Sequence, residues 1–294
     1  MDDGIIECCI LKTYSANGVW LKLLCLTIIA TLLFEHSQLD IHISELFYTN
    51  GHWLLEKGTQ PFAFIFYDLP KLLLILLGIY LIAVLILRHK QDSDINLVIK
   101  NAKYDKRLTP LSTREISYLL LVLIAVPSMI ALLKGVTHVS CPNHLILFGG
   151  DLPYLNIWQN IVANTPAKCF PAAHASAGFS LYGLAFLPTL HQYRYRIFEI
   201  VTVVGWTMGL YKMLFGDHFF SHTLVSMLLS LTITCALATL FFKYPVANKA
   251  NSINANGKKP DAASFQKSSK TQSLLLNNSQ INNDTLMKIK LLSI

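Results

Sequence analysis

Six runs of apolar residues, near 18–35, 69–87, 117–134, 173–191, 197–214 and 219–242, dominate the chain. A hydrocarbon layer ~30 Å thick takes about 20 residues of helix to cross, so each run is long enough or nearly so. Lys22, Pro127 and Lys212 are the main interruptions. A lone strand would leave backbone N–H and C=O groups unpaired in lipid, whereas a helix pairs them within the segment. The expected fold class is therefore all-α integral membrane, with six transmembrane helices and an outer interfacial segment. Only 14% of the 294 residues are charged and 53% are hydrophobic, which agrees. The first run is read as a membrane helix rather than a signal peptide, because it is long and no small-residue cleavage site follows it.

The formal charge of +7 would suit a nucleic-acid partner if the basic residues formed one face. They do not. Lys90, Lys100, Lys103, Lys106, Arg107 and Arg114 crowd the 89–115 connection, Arg194 and Arg196 sit in the 191–196 turn, and more lysines fall in the tail. Residues 35–68 hold Lys57 alone and residues 135–172 hold Lys168 alone. The positive-inside rule then puts those two sparse loops outside and both termini in the cytoplasm. Six spans beginning and ending inside agree with this, and no nucleic-acid partner is needed. Arg107 and its neighbours read as topology determinants or contacts for anionic lipid heads.

Three parts are expected along the chain: a cytoplasmic leader over 1–17, a membrane domain over 18–245, and a disordered cytoplasmic tail over 246–294. The tail is rich in Asn, Ser and Lys with little to bury. Between Leu39 and Asp68, apolar and aromatic residues alternate with charge too often to span, so this segment is expected to lie along the outer interface.

Ionisable residues at membrane helix ends are costly and mark candidate sites. One of them alone is ordinarily an interfacial anchor whose head reaches water. Here several fall on the same side. Lys134 ends the third run, His174 opens the fourth within Phe170-Pro171-Ala172-Ala173-His174, and Lys212, His218 and His222 straddle the turn between the fifth and sixth.

These residues resemble the type-2 phosphatidic acid phosphatase family, whose pattern is K-x6-R-P, then P-S-G-H, then S-R-x5-H-x3-D. Lys134 is followed after six residues by Cys141-Pro142, Pro171-Ala172-Ala173-His174 stands for the second motif, and Tyr211-Lys212 leads by the same spacing to His218 and His222. The resemblance covers about 117–242. It implies that Lys134 and Lys212 bind phosphate oxygens, helped by backbone N–H groups around Ala172 and Ala173 at a helix start. It further implies that His218 attacks phosphorus through a phosphohistidine, and that His174 protonates the leaving oxygen and then activates water. No metal or other cofactor enters this scheme. The implied partners are the bilayer and a phosphorylated lipid. Lipid A, undecaprenyl diphosphate and phosphatidylglycerol phosphate all fit an outer-face site in a bacterial inner membrane facing the periplasm.

The sequence departs from the pattern at several places. Cys141 and Lys212 stand for arginines, Ala172 and Ala173 for Ser-Gly, and His222 for the aspartate that orients the nucleophile. Lysine lacks the bidentate fork of a guanidinium, so His138, His144 and Lys168 are candidates to help hold phosphate. A neutral His222 is expected to accept a hydrogen bond from His218 Nδ1–H. Protonation of His222 would turn that contact repulsive, so activity is expected to fall at acid pH and not to be full well below ~6, the region of an ordinary histidine pKa. Asp151, in Gly149-Gly150-Asp151, reads as a turn residue.

Of the six cysteines, Cys141 and Cys169 share one outer loop, where an oxidising compartment would allow a disulfide. Closing such a loop contributes roughly 3–4 kcal/mol, less any native strain. Two readings stand beside the phosphatase: a phosphotransferase that passes phosphate from His218 to a lipid acceptor, and a catalytically degraded lipid-binding relative.

Overall fold

The computed structural model describes residues 18–92 and 109–242. The leader over 1–17, the tail over 246–294, and Lys100, Lys103, Lys106 and Arg107 lie outside the described residues.

The structure is mostly helical. Helix α1 (Val19–Glu35) bends by 69° into the short α2 (Leu39–Glu45), and a two-stranded hairpin follows, β1 (Tyr48–Thr49) and β2 (His52–Trp53). A π-helical turn, Phe64–Asp68, opens onto α3 (Leu69–Asp92). Helix α4 spans Thr113–Thr137 and α5 spans Ile157–Ala163. Helix α6 (Ala173–Phe179) continues as 3₁₀ turns to Tyr193, and α7 (Arg194–Met213) and α8 (Phe220–Phe242) complete the bundle.

Three stretches are long and apolar enough to cross a membrane: Phe64–Lys90, Thr113–His144 and Phe220–Phe242. The bent pair α1–α2 makes a fourth if it is one broken span. The count by length and composition is thus three to four, against the six expected, and apart from the bent first run the fourth and fifth runs differ for physical reasons. In the fourth run, regular α-helix ends at Phe179. Ser180–Phe186 is wound as 3₁₀, and Pro188, which has no N–H to donate, starts another such turn. Because 3₁₀ winding rises ~2.0 Å per residue, residues 173–186 still extend about 25 Å. The fifth run is a continuous helix of 20 residues, α7, but Arg194, Arg196, Glu199 and three threonine or lysine positions dilute its apolar character.

Large apolar side chains point outward along α1 and α3, among them Ile28, Ile29, Leu73 and Ile79, each more than half exposed. That outward face is what a lipid solvent calls for, whereas it would be costly in water. Helix α8 is central and packs against α1, α4, α6 and α7. Its inner face is built from small hydroxyl residues, and Ser226, Ser230 and Thr232 return their hydroxyls to the carbonyls of His222, Ser226 and Leu228. Small faces let helices approach where lipid offers no hydrophobic drive. At Gly205 the backbone of α7 lies under the Phe179 ring, leaving no room for a Cβ.

One end of the bundle is stitched by local polar contacts. Ser112 caps α4 reciprocally with Glu115, whose other oxygen accepts the Thr189 N–H at 2.8 Å. Arg88 donates to the carbonyls of Thr109 and Leu111. The opposite end carries the loops 36–68, 138–172 and 214–219. There the 36–68 segment does more than lie along an interface. Asn50 and Gly51, both at positive φ, form the two-residue turn of the hairpin. The hairpin then sets Trp53 against Gly216, itself at φ 73°, and Leu55 N–H donates to Leu214 O at 3.2 Å. The segment is folded onto the turn that precedes α8.

Candidate active site

Lys134 lies in the last turn of α4, and the chain beyond it is zipped to the chain that leads into α6. His138, in the left-handed conformation that ends α4, donates from Nδ1 to Thr165 O at 2.7 Å, and the Thr165 hydroxyl donates back to His138 O. Cys169 N–H donates to Val139 O at 3.0 Å, and the Thr137 hydroxyl to Phe170 O. A disulfide joins Cys141 to Cys169, Cα to Cα 5.3 Å. Cys141, at the family's arginine position, is therefore a brace and not a phosphate ligand. His138 is committed to Thr165, while His144 and Lys168 are exposed. Asp151 is exposed at a bend after Gly149, as a turn residue would be.

His174 opens α6 with its ring stacked on Tyr67, centroids 4.5 Å apart. Its Nε2 donates to Phe66 O at 3.2 Å, which leaves Nδ1 as the unprotonated nitrogen. Beside it, Ala172 N–H donates to His222 O at 3.1 Å. This corrects the expectation that the Ala172 N–H helps hold phosphate: it is spent on anchoring α6 to α8. Ala173, at the first position of α6, is the alanine of the pair whose N–H belongs to the helix start.

Lys212, in the last turn of α7, is half-buried over the rings of Tyr67 and Phe215, 4.8 and 5.0 Å from their centroids. Its Nζ meets Asp217 Oδ2 at 3.0 Å. The other Asp217 oxygen faces Lys57 Nζ at 3.5 Å and accepts from Asn143 Nδ2 at 3.4 Å. Lys134 makes no ion pair among the described residues, yet lies within electrostatic range of Lys57, Lys212 and Asp217.

His218 is 5% exposed. Burial, and then the charges of His222, Lys134, Lys212 and His174, hold its imidazole well below the ordinary value of 6.5. These four groups thus lie within electrostatic range of it. His222 is boxed by the edges of Phe170 and Phe219, and its ring stands 5.7 Å from that of His218, edge to face. The hydrogen bond expected between the two histidines is not made, since Nδ1 of each is buried without a partner. Asp40 of α2 accepts from the Ser221 N–H at 2.9 Å and from its hydroxyl, so a carboxylate from the outer segment caps the start of α8.

The structure thus brings His174, His218, His222, Lys134 and Lys212 to one end of the bundle. Sequence reasoning missed Lys57, Asp217, Tyr67 and Asp40. Two of these carried a signal: Lys57 is the one lysine of its loop, and Asp217 immediately precedes His218 within the third motif's spacer. No curated protein and no solved structure matches the chain. A family model does match, that of the PAP2 superfamily, over residues 115–245, from the capping glutamate of α4 to just beyond α8. All three motifs fall inside that stretch, and over residues 115–245 the chain is accordingly similar to the PAP2 superfamily, whose members are phosphatases and phosphotransferases acting on phosphorylated substrates.

Proposed function

We propose that this protein is a lipid phosphatase that removes a phosphate at the outer face of a membrane through a phosphohistidine at His218. The observation that carries the reading is the set of charges around His218: two lysines and two further histidines within electrostatic range of a buried, neutral imidazole. A phosphoryl group needs cations for its non-bridging oxygens, an in-line nucleophile and an acid for the leaving oxygen. Lys134 and Lys212 supply the first. His218 supplies the second, because a neutral imidazole has a lone pair to give. His174 supplies the third once Nδ1, the nitrogen not held by Phe66 O, carries a proton: it gives that proton to the departing alcohol and then takes one from the water that cleaves the phosphohistidine. The scheme needs no metal.

The outward apolar faces of α1 and α3 support a substrate that arrives from the bilayer. Lipid A, undecaprenyl diphosphate and phosphatidylglycerol phosphate are the candidates, with the site facing the periplasm from a bacterial inner membrane. Transfer to a lipid acceptor uses the same intermediate, and the burial of His218, which restricts water, favours it. The deciding experiment measures release of phosphate from these lipids by the wild type, His218→Ala and His174→Ala. Both variants are expected to lose at least about a hundredfold in rate, the usual scale for a general acid or base. Equal rates in all three proteins would overturn the reading. Labelled phosphate appearing on an added acceptor lipid, rather than free, identifies transfer.

A further inference from the structure

We infer that Lys57 is a third phosphate-binding cation, and that the Asp217 carboxylate occupies in the resting site the position a substrate phosphate takes over. This rests on the phosphatase reading above and extends it. Asp217 is the anion that the local cations converge on. One oxygen meets Lys212 at 3.0 Å, the other faces Lys57 at 3.5 Å and Asn143 at 3.4 Å, and Lys134 lies within electrostatic range of all three charges. Two ammonium groups on one carboxylate, with a third within electrostatic range, leave a surplus of positive charge at this turn. Such a surplus is unfavourable unless a second anion arrives, and a phosphate monoester carries close to two negative charges at neutral pH. Carboxylate and phosphate also present the same kind of oxygen acceptor to an ammonium group.

Lys57 is suited to the exchange. Its backbone is pinned nearby, with Leu55 N–H on Leu214 O and the Thr59 hydroxyl on Glu56 O, whereas its side chain is 71% exposed and its contact with Asp217 is long. The ammonium group can therefore swing onto a phosphate without unfolding the loop. Lys57 also replaces a lost charge: Cys141, at the family's arginine position, is locked in a disulfide, and the outer segment brings a lysine to the same turn from elsewhere in the chain. Asp217 is two-sided in this arrangement. It keeps the lysines together in the empty site and competes with the phosphate that fills it.

The test is calorimetric titration of the full chain in detergent micelles with inorganic phosphate. Lys57→Ala should weaken binding about fivefold, the scale of one partly exposed charge contact, and Lys57→Arg should restore it. Asp217→Asn should tighten binding, because the internal competitor is gone. With a turning-over lipid substrate, Lys57→Ala should raise KM and leave kcat nearly unchanged. Unaltered phosphate binding in Lys57→Ala overturns the inference. So does weaker binding in Asp217→Asn, which would make Asp217 a brace for Lys212 and nothing more, and so does no phosphate binding by any variant. Failure of this pattern in a protein that releases phosphate in a His218-dependent way removes the inference alone. The pattern holding in a protein that releases none removes the catalytic reading and leaves the anion site.

Discussion

His218 is placed where an imidazole is kept uncharged, and this alters what acid does to the protein. The sequence leads one to expect activity lost in the region of pH ~6, through protonation of His222. Burial, reinforced by four neighbouring bases and cations, holds the His218 imidazole well below 6.5. The acid limb of kcat/KM that belongs to His218 is therefore expected below pH 6.5, once the ionisation of the substrate phosphate near ~6 is allowed for. A limb that belongs to His218 at or above 6.5 would contradict its environment as described. Stability has the same sign. A histidine whose folded pKa is depressed takes up a proton more readily unfolded, so its contribution is complete above about pH 6.5 and the fold weakens as pH falls below it. Asp217 and Lys57 operate at this scale as well, and their contact could not be read from the chain because 160 residues separate them. Local pattern supplied the histidines and the two motif lysines; the third cation needed the folded outer segment.

At the scale of elements, the runs that became unbroken apolar helices were the legible ones. Those expected at 69–87 and 117–134 lie within α3 and α4, and the runs at 18–35 and 219–242 match α1 and α8 within a residue. The fourth was legible as an apolar stretch but not as a shape, because hydropathy does not distinguish α from 3₁₀ winding. The hairpin was written in Asn50-Gly51 between aromatic and β-branched residues, and its signal was obscured by reading the whole segment as interfacial. What hydropathy does not report at all is how closely helices approach. Gly205→Ala puts a methyl group into the Phe179 ring, which is fully buried beside Tyr182 and has little room to retreat. We expect a destabilisation of about 1–3 kcal/mol, typical of overpacking, read as a lower thermal midpoint in micelles. Gly78→Ala on α3, with nothing within 4 Å, is the control and should leave the midpoint unchanged or slightly higher. Equal midpoints for both variants would mean that α6 and α7 are not packed through Gly205.

For the whole molecule, two independent physical rules make the same prediction of which way the bundle faces. Basic residues are dense in the connections at one end and sparse at the other, and the positive-inside rule predicts that the sparse end faces outside. The disulfide between Cys141 and Cys169 lies at that sparse end, and disulfides persist in oxidising compartments. His174, Lys212 and His218 share the end with the disulfide, so the orientation of the proposed chemistry follows from the orientation of the bundle. Two exposed positions separate the alternatives. Asp151 is exposed in the loop between the two bridged cysteines, and Tyr193 is 49% exposed at the opposite end, beside the basic 191–196 turn. In a chain whose Cys8 and Cys9 are replaced by serine, Asp151→Cys should react with a membrane-impermeant maleimide in intact cells. Tyr193→Cys should react only after the membrane is opened. The reverse order would invert the bundle, leave the disulfide in a reducing compartment, and put Lys134 and Lys212 where an outer-leaflet lipid head never reaches them.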